Sequence, residues 1–300
     1  MLKIAYSPIY KYQLPEGHRF PMVKYELLPE QLLYEGTVNE TQFFSPALLP
    51  EEVLLWTHSA VYWEKLQQQK LTRKEERAIG FPLRPDLLKR GRHIAQGTIE
   101  CARHAREHGV ALNIAGGTHH AYADRGEGFC VFNDFAIAAN FLLRQKEAEK
   151  ILIVDLDVHQ GNGTAHIFQN EPRVFTFSMH GERNYPLRKE QSDLDIGLPD
   201  KTEGHEYLKV LENTLPRLIR EQQPDLVFYL SGVDVLESDR LGRLSLSIQA
   251  CKERDRFVFN TCKAAGIPVA VSMGGGYSRQ IANIIEGHAN TFRAASEIFD

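Results

Sequence analysis

The sequence predicts an α/β protein of one domain, residues 1–300, built on a central, mostly parallel sheet with helices on both faces. Apolar, strand-like segments alternate with helical segments after Pro85, which is the pattern of parallel strands joined by covering helices. No internal repeat, low-complexity tract or linker rich in Gly, Ser and Pro divides the chain. With 43% hydrophobic and 25% charged residues, the composition is that of an ordinary globular protein.

The elements are predicted in the following order. Residues 1–10 alternate polar and apolar side chains and indicate a first strand, and prolines then interrupt short helical pieces over the first eighty residues. Helices are predicted at 86–108, from about 133, near 164–168, at 205–222 and at 248–265. Strands are predicted at 110–115, 151–154, 174–178, 226–230 and 268–272.

Four of the predicted strands run directly into clusters of Gly, His or Asp. The clusters are GGTHH at 116–120, DLDVH at 155–159, GVD at 232–234 and GGGY at 274–277. Open α/β sheets bind ligands beyond the carboxyl ends of their strands. The sequence therefore predicts one shared site at one edge of the sheet.

The DLDVH cluster indicates a metal site. Asp155, Asp157 and His159 alternate as a buried strand ends, so their side chains point to the same side. Two carboxylates at the end of an apolar strand are costly to bury unless a cation compensates them. Asp157 and His159, with Asp234 from another strand end, give three ligands and an open fourth position, as in a catalytic zinc site. The alternative is that these acids cap helices or sit in surface turns, and Asp155 could instead orient a catalytic histidine.

Two further clusters supply acid-base and oxyanion chemistry. His119 and His120 follow a Gly-Gly-Thr turn and suit proton transfer beside a water activated by a metal; the alternative is a pair of exposed loop histidines. Tyr277 follows three glycines and is a candidate oxyanion donor. A phosphate-binding turn is the usual rival, but GxxxxGK[ST] and GxGxxG are absent, as is the GxSxG of serine hydrolases.

In combination, these motifs resemble the histone deacetylase and acetylpolyamine amidohydrolase group of the arginase-deacetylase superfamily. The motifs are GGTHHA, GFCVFND, DLDVHQGNG, SGVD followed by DRLG, and GGGY, and the resemblance covers about residues 3–286. It implies metal-dependent hydrolysis of an N-acyl amine, such as an acyl-lysine in a protein or an acylated polyamine. The closest likeness is to class IV and bacterial members.

The resemblance also implies a role for each matching residue. Zinc would bind Asp157, His159 and Asp234, although ferrous iron suits the same ligands. His119 and His120 would be the acid-base pair, Asp155 would lie behind His119, and Tyr277 would polarise the acyl carbonyl. Substrate would contact Gly128, Phe129, Tyr185, Leu241 and Gly275, with Arg19 in an inner product pocket. A structural potassium ion would lie near Asp155, Asp157, His159 and Ser178.

Two positions depart from the class I pattern. Asn162 stands where class I enzymes pair the second histidine with an Asp, and Met273 replaces a further glycine. A binuclear manganese site of the arginase type is excluded because it needs carboxylates at the positions of Gly161 and Leu236. Acetylpolyamine hydrolysis and a catalytically weak acyl-lysine binding module remain alternatives to protein deacylation.

Composition restricts the partners and the compartment. A net charge of -4 and a pI near 6.3 give no indication of direct nucleic-acid binding. No apolar run approaches the roughly 20 residues of a membrane span, and the start has no secretion signal. The four cysteines are scattered without a CxxC pair, which favours a reducing, cytoplasmic setting over a disulfide framework. Acyl-chain length and oligomeric state stay open.

Overall fold

The computed structural model describes all 300 residues and contains one sheet of eight strands, all parallel to their neighbours. The strands are β1 (Lys3–Ala5), β2 (Phe43–Phe44), β3 (Val110–Asn113), β4 (Ile151–Asp155), β5 (Val174–Gly181), β6 (Leu194–Leu198), β7 (Leu226–Ser231) and β8 (Val269–Met273). Their order across the sheet is β2-β1-β3-β8-β7-β4-β5-β6. This confirms the predicted fold class.

Ten α-helices cover this sheet. They are α1 (Lys24–Tyr34), α2 (Glu51–Leu54), α3 (Ala60–Gln67), α4 (Arg73–Ile79), α5 (Pro85–His108), α6 (Asp134–Arg144), α7 (Asn162–Phe168), α8 (Gly204–Gln222), α9 (Ile248–Ala264) and α10 (Ile281–Phe299). Helices α5, α6 and α7 form one connected group, and α1, α8, α9 and α10 form another. Both groups contact β3 without packing on each other, so they lie on opposite faces.

The central strands are buried throughout, as parallel strands between two helical layers must be. The clusters singled out in the sequence follow β3, β4, β7 and β8, and these are four consecutive strands in the middle of the sheet. Their carboxyl ends therefore meet at one point of one edge, where the predicted shared site lies.

Some elements differ from the sequence prediction. The first strand ends at Ala5 because the proline at position 8 begins a 3-10 turn, Pro8–Tyr10, so the predicted extension to residue 10 is wrong. The edge strand β6, the two-residue strand β2 and the last helix α10 were not predicted. None of the ten α-helices combines the length and the apolar composition that a membrane span requires. All four cysteines are buried and free.

Candidate active site

Asp157, His159 and Asp234 converge at the edge where β4 and β7 end. Nδ1 of His159 lies 3.0 Å from Oδ1 of Asp157 and 3.2 Å from Oδ2 of Asp234. The three potential ligand atoms all lie within 4.8 Å of one another, and all three residues are buried. The remaining carboxylate oxygens are fixed by main-chain donors: Gly275 N donates to Oδ2 of Asp157 at 2.7 Å, and Val158 N donates to Oδ1 of Asp234 at 3.0 Å.

The electrostatics of this cluster fit a divalent cation. Oδ2 of Asp234 is buried without a hydrogen-bond partner, because its approach to His159 is a contact without hydrogen-bond geometry. Burial, and then the charge of Asp157, raise the pKa of Asp234 to about 7. Burial lowers the pKa of His159, but the adjacent Asp157 and Asp234 carboxylates outweigh burial and raise that pKa to about 10. Two carboxylates and one imidazole, with one carboxylate oxygen left without a hydrogen-bond partner, are a donor set that suits zinc or ferrous iron.

His119 and His120 lie beside this cluster on the turn after β3. Their ring centroids are 4.1 Å apart, and Nε2 of His119 is 3.9 Å from Oδ1 of Asp157. Nδ1 of His119 contacts Oδ2 of Asp155 at 2.7 Å, and Nδ1 of His120 contacts Oδ1 of Asn162 at 2.6 Å. A carboxylate and an amide oxygen only accept, so each Nδ1 carries the proton and each Nε2 is left for chemistry.

The two histidines have opposite tendencies to be charged. Burial lowers the pKa of His119, but Asp155 outweighs burial and raises it above its usual value. Burial, and then the positive charges of His119 and His159, hold the pKa of His120 well below its usual range. Asn162 adds no opposing charge. The arrangement therefore holds His120 neutral, with Nε2 free to accept a proton, next to a His119 that favours the charged form.

Tyr277 follows β8 and lies on the wall between the buried cluster and the cavity mouth. Burial, and then Asp234 and Asp157, raise the pKa of Tyr277 well above its usual value, so the phenol keeps its proton. The turn that carries it needs glycine, since a Cβ on Gly275 would lie 1.9 Å from Oδ2 of Asp234. Asp239 fixes the turn by accepting a hydrogen bond from Tyr277 N at 2.5 Å.

The residues expected along the substrate tunnel surround this site. Gly128, Phe129, Tyr185 and Leu241 line its mouth. Gly128 and Phe129 adopt left-handed backbone conformations, with φ of 54° and 68°. At Gly128 a Cβ would lie 2.5 Å from the ring of His120. The Tyr185 ring stands perpendicular to the His120 ring, with centroids 4.9 Å apart.

Ser178 lies directly beside Asp155 in the sheet. The two residues are register partners on β5 and β4, and both are buried. Asp155 accepts a hydrogen bond from Asp157 N at 3.1 Å through its second oxygen. The hydroxyl of Ser178 contacts Nδ1 of His180 at 2.9 Å. The structure places these residues together, and their role in holding potassium stays a prediction.

Arg19 does not lie in an inner pocket, and this expectation is wrong. Its guanidinium carbon lies 4.9 Å from the centroid of the Phe129 ring, and its exposed side chain lines the outer mouth. The neighbouring residue takes the interior position instead: the Phe20 side chain packs against Tyr277 and Phe129. Phe20 therefore takes the inward position in this bend, and Arg19 beside it stays exposed.

Two other cations, which the sequence analysis missed, occupy the inner cavity. Lys24 on α1 is 1% exposed and donates to the main-chain oxygen of Gly274 at 3.1 Å. Arg90 on α5 is 5% exposed and donates to the main-chain oxygen of Tyr10. Burial lowers the pKa of Lys24 to about 8. The buried position of Arg90 could have been predicted from the sequence, because its spacing from Leu87 and Ile94 places it on the apolar face of α5.

The eight-stranded parallel sheet and its carboxyl-edge site define an α/β protein with the arginase-deacetylase fold. The histone deacetylase domain family matches residues 18–292, and the chain belongs to this family of hydrolases. It is 45% identical over 296 residues to an uncharacterized protein of Picosynechococcus sp., covering 99% of both chains. It is 30% identical to histone deacetylase 2 of Arabidopsis thaliana, over 95% of this chain and 76% of that one. A histone deacetylase homolog from Aquifex aeolicus superposes with a TM-score of 0.80 at 23% identity, over 98% and 83% of the chains.

Proposed function

We propose that this protein hydrolyses the amide of an acyl-lysine side chain in proteins, using one divalent metal held by Asp157, His159 and Asp234. The observation that carries the proposal is the buried, unpartnered Oδ2 of Asp234 on the cavity that also contains His119, His120 and Tyr277. Zinc is the expected ion, and ferrous iron suits the same ligands. When bound, the ion would polarise the acyl carbonyl and lower the pKa of a water molecule.

The side chains of the site then supply proton transfer and oxyanion stabilisation. Nε2 of His120 accepts the proton of the attacking water, since this histidine is held neutral. His119, whose pKa Asp155 raises against the effect of burial, donates a proton to the leaving amine. The phenol of Tyr277 donates a hydrogen bond to the carbonyl oxygen as negative charge develops there.

The inner cavity supports a short acyl group. In the cavity that contains the site and extends to Lys24 and Arg90, the space open to the centres of water-sized molecules is about 40 Å³. Since one water occupies roughly 10–15 Å³ on this measure, the cavity accommodates a few waters or an acetyl-sized group. Lys24 and Arg90 line it and would receive the carboxylate product. The expected reaction is therefore deacetylation, with acetate leaving into a positively charged cavity.

The decisive experiment is metal analysis combined with a panel of acyl-lysine peptides. Asp157→Ala should lose the metal and all hydrolysis, because it removes a ligand and leaves Asp234 and His159 without their partner. Asp124→Ala, at an exposed position outside the site, is the matched control and should keep both. Acetyl peptides should be hydrolysed faster than butyryl or myristoyl peptides. Stoichiometric metal in the Asp157 variant would contradict the site assignment.

A further inference from the structure

Four arginines from four separate segments surround the entrance to the site. Arg19 precedes α1, and Arg77 lies in the last turn of α4. Arg183 lies in the loop between β5 and β6, and Arg243 lies in the loop between β7 and α9. All four side chains are exposed, and none of the residues that line this mouth is acidic. The mouth is thus basic although the whole chain carries a net charge of -4.

The neighbouring carboxylates neutralise only part of this charge. Asp200 contacts two of the arginines, Arg243 at 3.0 Å and Arg183 at 4.0 Å. Arg19 and Arg77 form no salt bridge and no side-chain hydrogen bond. Glu127 and Asp239, two further carboxylates near the mouth, have other partners. Four guanidinium groups therefore share one carboxylate.

Glu127 and Asp239 already accept hydrogen bonds from other groups. Glu127 accepts hydrogen bonds from Arg125 at 3.0 Å and from the phenol of Tyr185 at 2.6 Å. Asp239 accepts from the main-chain nitrogens of Leu241, Gly242 and Tyr277. Neither carboxylate pairs with any of the four arginines, so an approaching substrate meets predominantly positive charge.

From this ring of arginines, and resting on the proposed function, we infer that the substrate is an acyl-lysine flanked by Asp or Glu. Guanidinium groups bind carboxylates with charge-assisted, bidentate hydrogen bonds. Like charges across an interface are unfavourable, so the same ring disfavours acetylated polyamines and peptides rich in Lys or Arg. The buried site selects the acylated amine, and the mouth selects the acidic residues beside it.

The test compares substrates that differ only in flanking charge. Three acetyl-lysine peptides of equal length, flanked by Asp, Ser or Lys, and N-acetylspermidine are assayed for kcat/KM with the metal-loaded enzyme. Exposed ion pairs contribute modestly, so the Asp peptide should exceed the Ser peptide by roughly tenfold at low salt. The advantage should shrink as the Debye length falls from about 30 Å at 0.01 M to about 8 Å at 0.15 M salt.

Variants locate the effect in the mouth. The double variant Arg19→Gln and Arg77→Gln should bring the ratio of the Asp peptide to the Ser peptide close to one. Arg220→Gln removes an equally exposed arginine from α8, away from the site, and should leave that ratio unchanged. A Lys-flanked peptide or N-acetylspermidine that matches the Asp peptide would overturn the inference while leaving acyl-lysine hydrolysis intact. Failure to hydrolyse any of the peptides would overturn the proposed function, and this inference with it.

Discussion

Replacing Lys24 with Met should make the protein more stable and less active. Lys24 is fully enclosed, its ammonium donates to the Gly274 carbonyl, and no carboxylate lies within ion-pair distance of it. Methionine has a similar length and no charge, so Lys24→Met keeps the volume of the cavity wall. Arg90 would remain on the wall of the inner cavity.

The size of the stability gain follows from the pKa of Lys24. Burial lowers it from 10.5 to about 8. Since a tenfold change in an ionisation constant is worth about 1.4 kcal/mol, the charged lysine reduces folding stability by about 3 kcal/mol at pH 7. Loss of its hydrogen bond to Gly274 offsets about 1–1.5 kcal/mol of the gain. Lys24→Met should therefore raise the free energy of unfolding by about 1–2 kcal/mol.

The pH dependence gives the sign of this effect independently. Between about pH 8 and 10.5 the unfolded chain binds a proton at Lys24 that the folded chain does not, so stability rises with pH across this window. Below pH 8, the full loss of folding stability caused by the charged Lys24 is present.

Urea unfolding of the metal-free parent and variant at pH 7 and pH 10 measures the gain in the free energy of unfolding and its dependence on pH. Lys209→Met, at an exposed position on α8, controls for loss of a charge. A variant less stable than the parent at pH 7, with an unchanged difference at pH 10, would refute this account of Lys24.

The remaining stability and rate predictions concern Tyr277 and His58. Tyr277→Phe should keep its metal and its affinity for an acetyl-lysine peptide, while kcat falls about a hundred- to a thousandfold because one oxyanion donor is removed. A kcat within a few-fold of the parent value would show that another group stabilises the oxyanion. Burial lowers the pKa of His58 to about 4, and its Nε2 accepts a hydrogen bond from Asn133 N at 3.1 Å. Because the unfolded chain binds a proton at His58 at higher pH than the folded chain does, the free energy of unfolding should fall by about 3 kcal/mol as the pH drops from 6.5 to 4. His58→Gln keeps an acceptor without titrating, and urea unfolding should show a shallower loss than in the parent.

The position of the site could be predicted from the sequence because its clusters are local and follow strands. Asp157 and His159 belong to one strand end and Asp234 to another, and parallel strands bring their carboxyl ends to the same edge. Sequence alone did not give the strand order, which makes β4 and β7 neighbours. Only that adjacency brings His159 within 3.2 Å of Asp234.

The inner cavity and the mouth could not be predicted in this way, since their residues come from helices and loops that the sheet pattern does not relate. Lys24 reaches the cavity because α1 packs against α10, a helix that was not predicted. Arg19 shares its short segment with Phe20, and the sequence does not say which of the two turns inward. The edge strand β6 is half-buried and contains Gly197, so it has no continuous apolar run to mark it.

Asn162 contacts His120, the proton acceptor of the proposed reaction, without adding a charge, and Asn162→Asp should change the pH dependence of hydrolysis. Oδ1 of Asn162 lies 2.6 Å from Nδ1 of His120, and its Nδ2 donates to the phenol of Tyr122, which fixes the orientation of the amide. Asp at this position would place a negative charge next to His120, and an opposite charge at this distance raises a pKa by roughly one to three units.

The acid limb of kcat/KM follows protonation of the base in the free enzyme, so this limb should move to higher pH. At pH 6 the Asn162→Asp variant should then lose more activity than at pH 8. Asn213→Asp, on the exposed face of α8, adds the same charge away from the site and should leave the profile in place. An acid limb that stayed in place or moved to lower pH in the Asn162 variant would mean that the base is not His120. The assignment of neutral His120 and charged His119 would then have to be reversed.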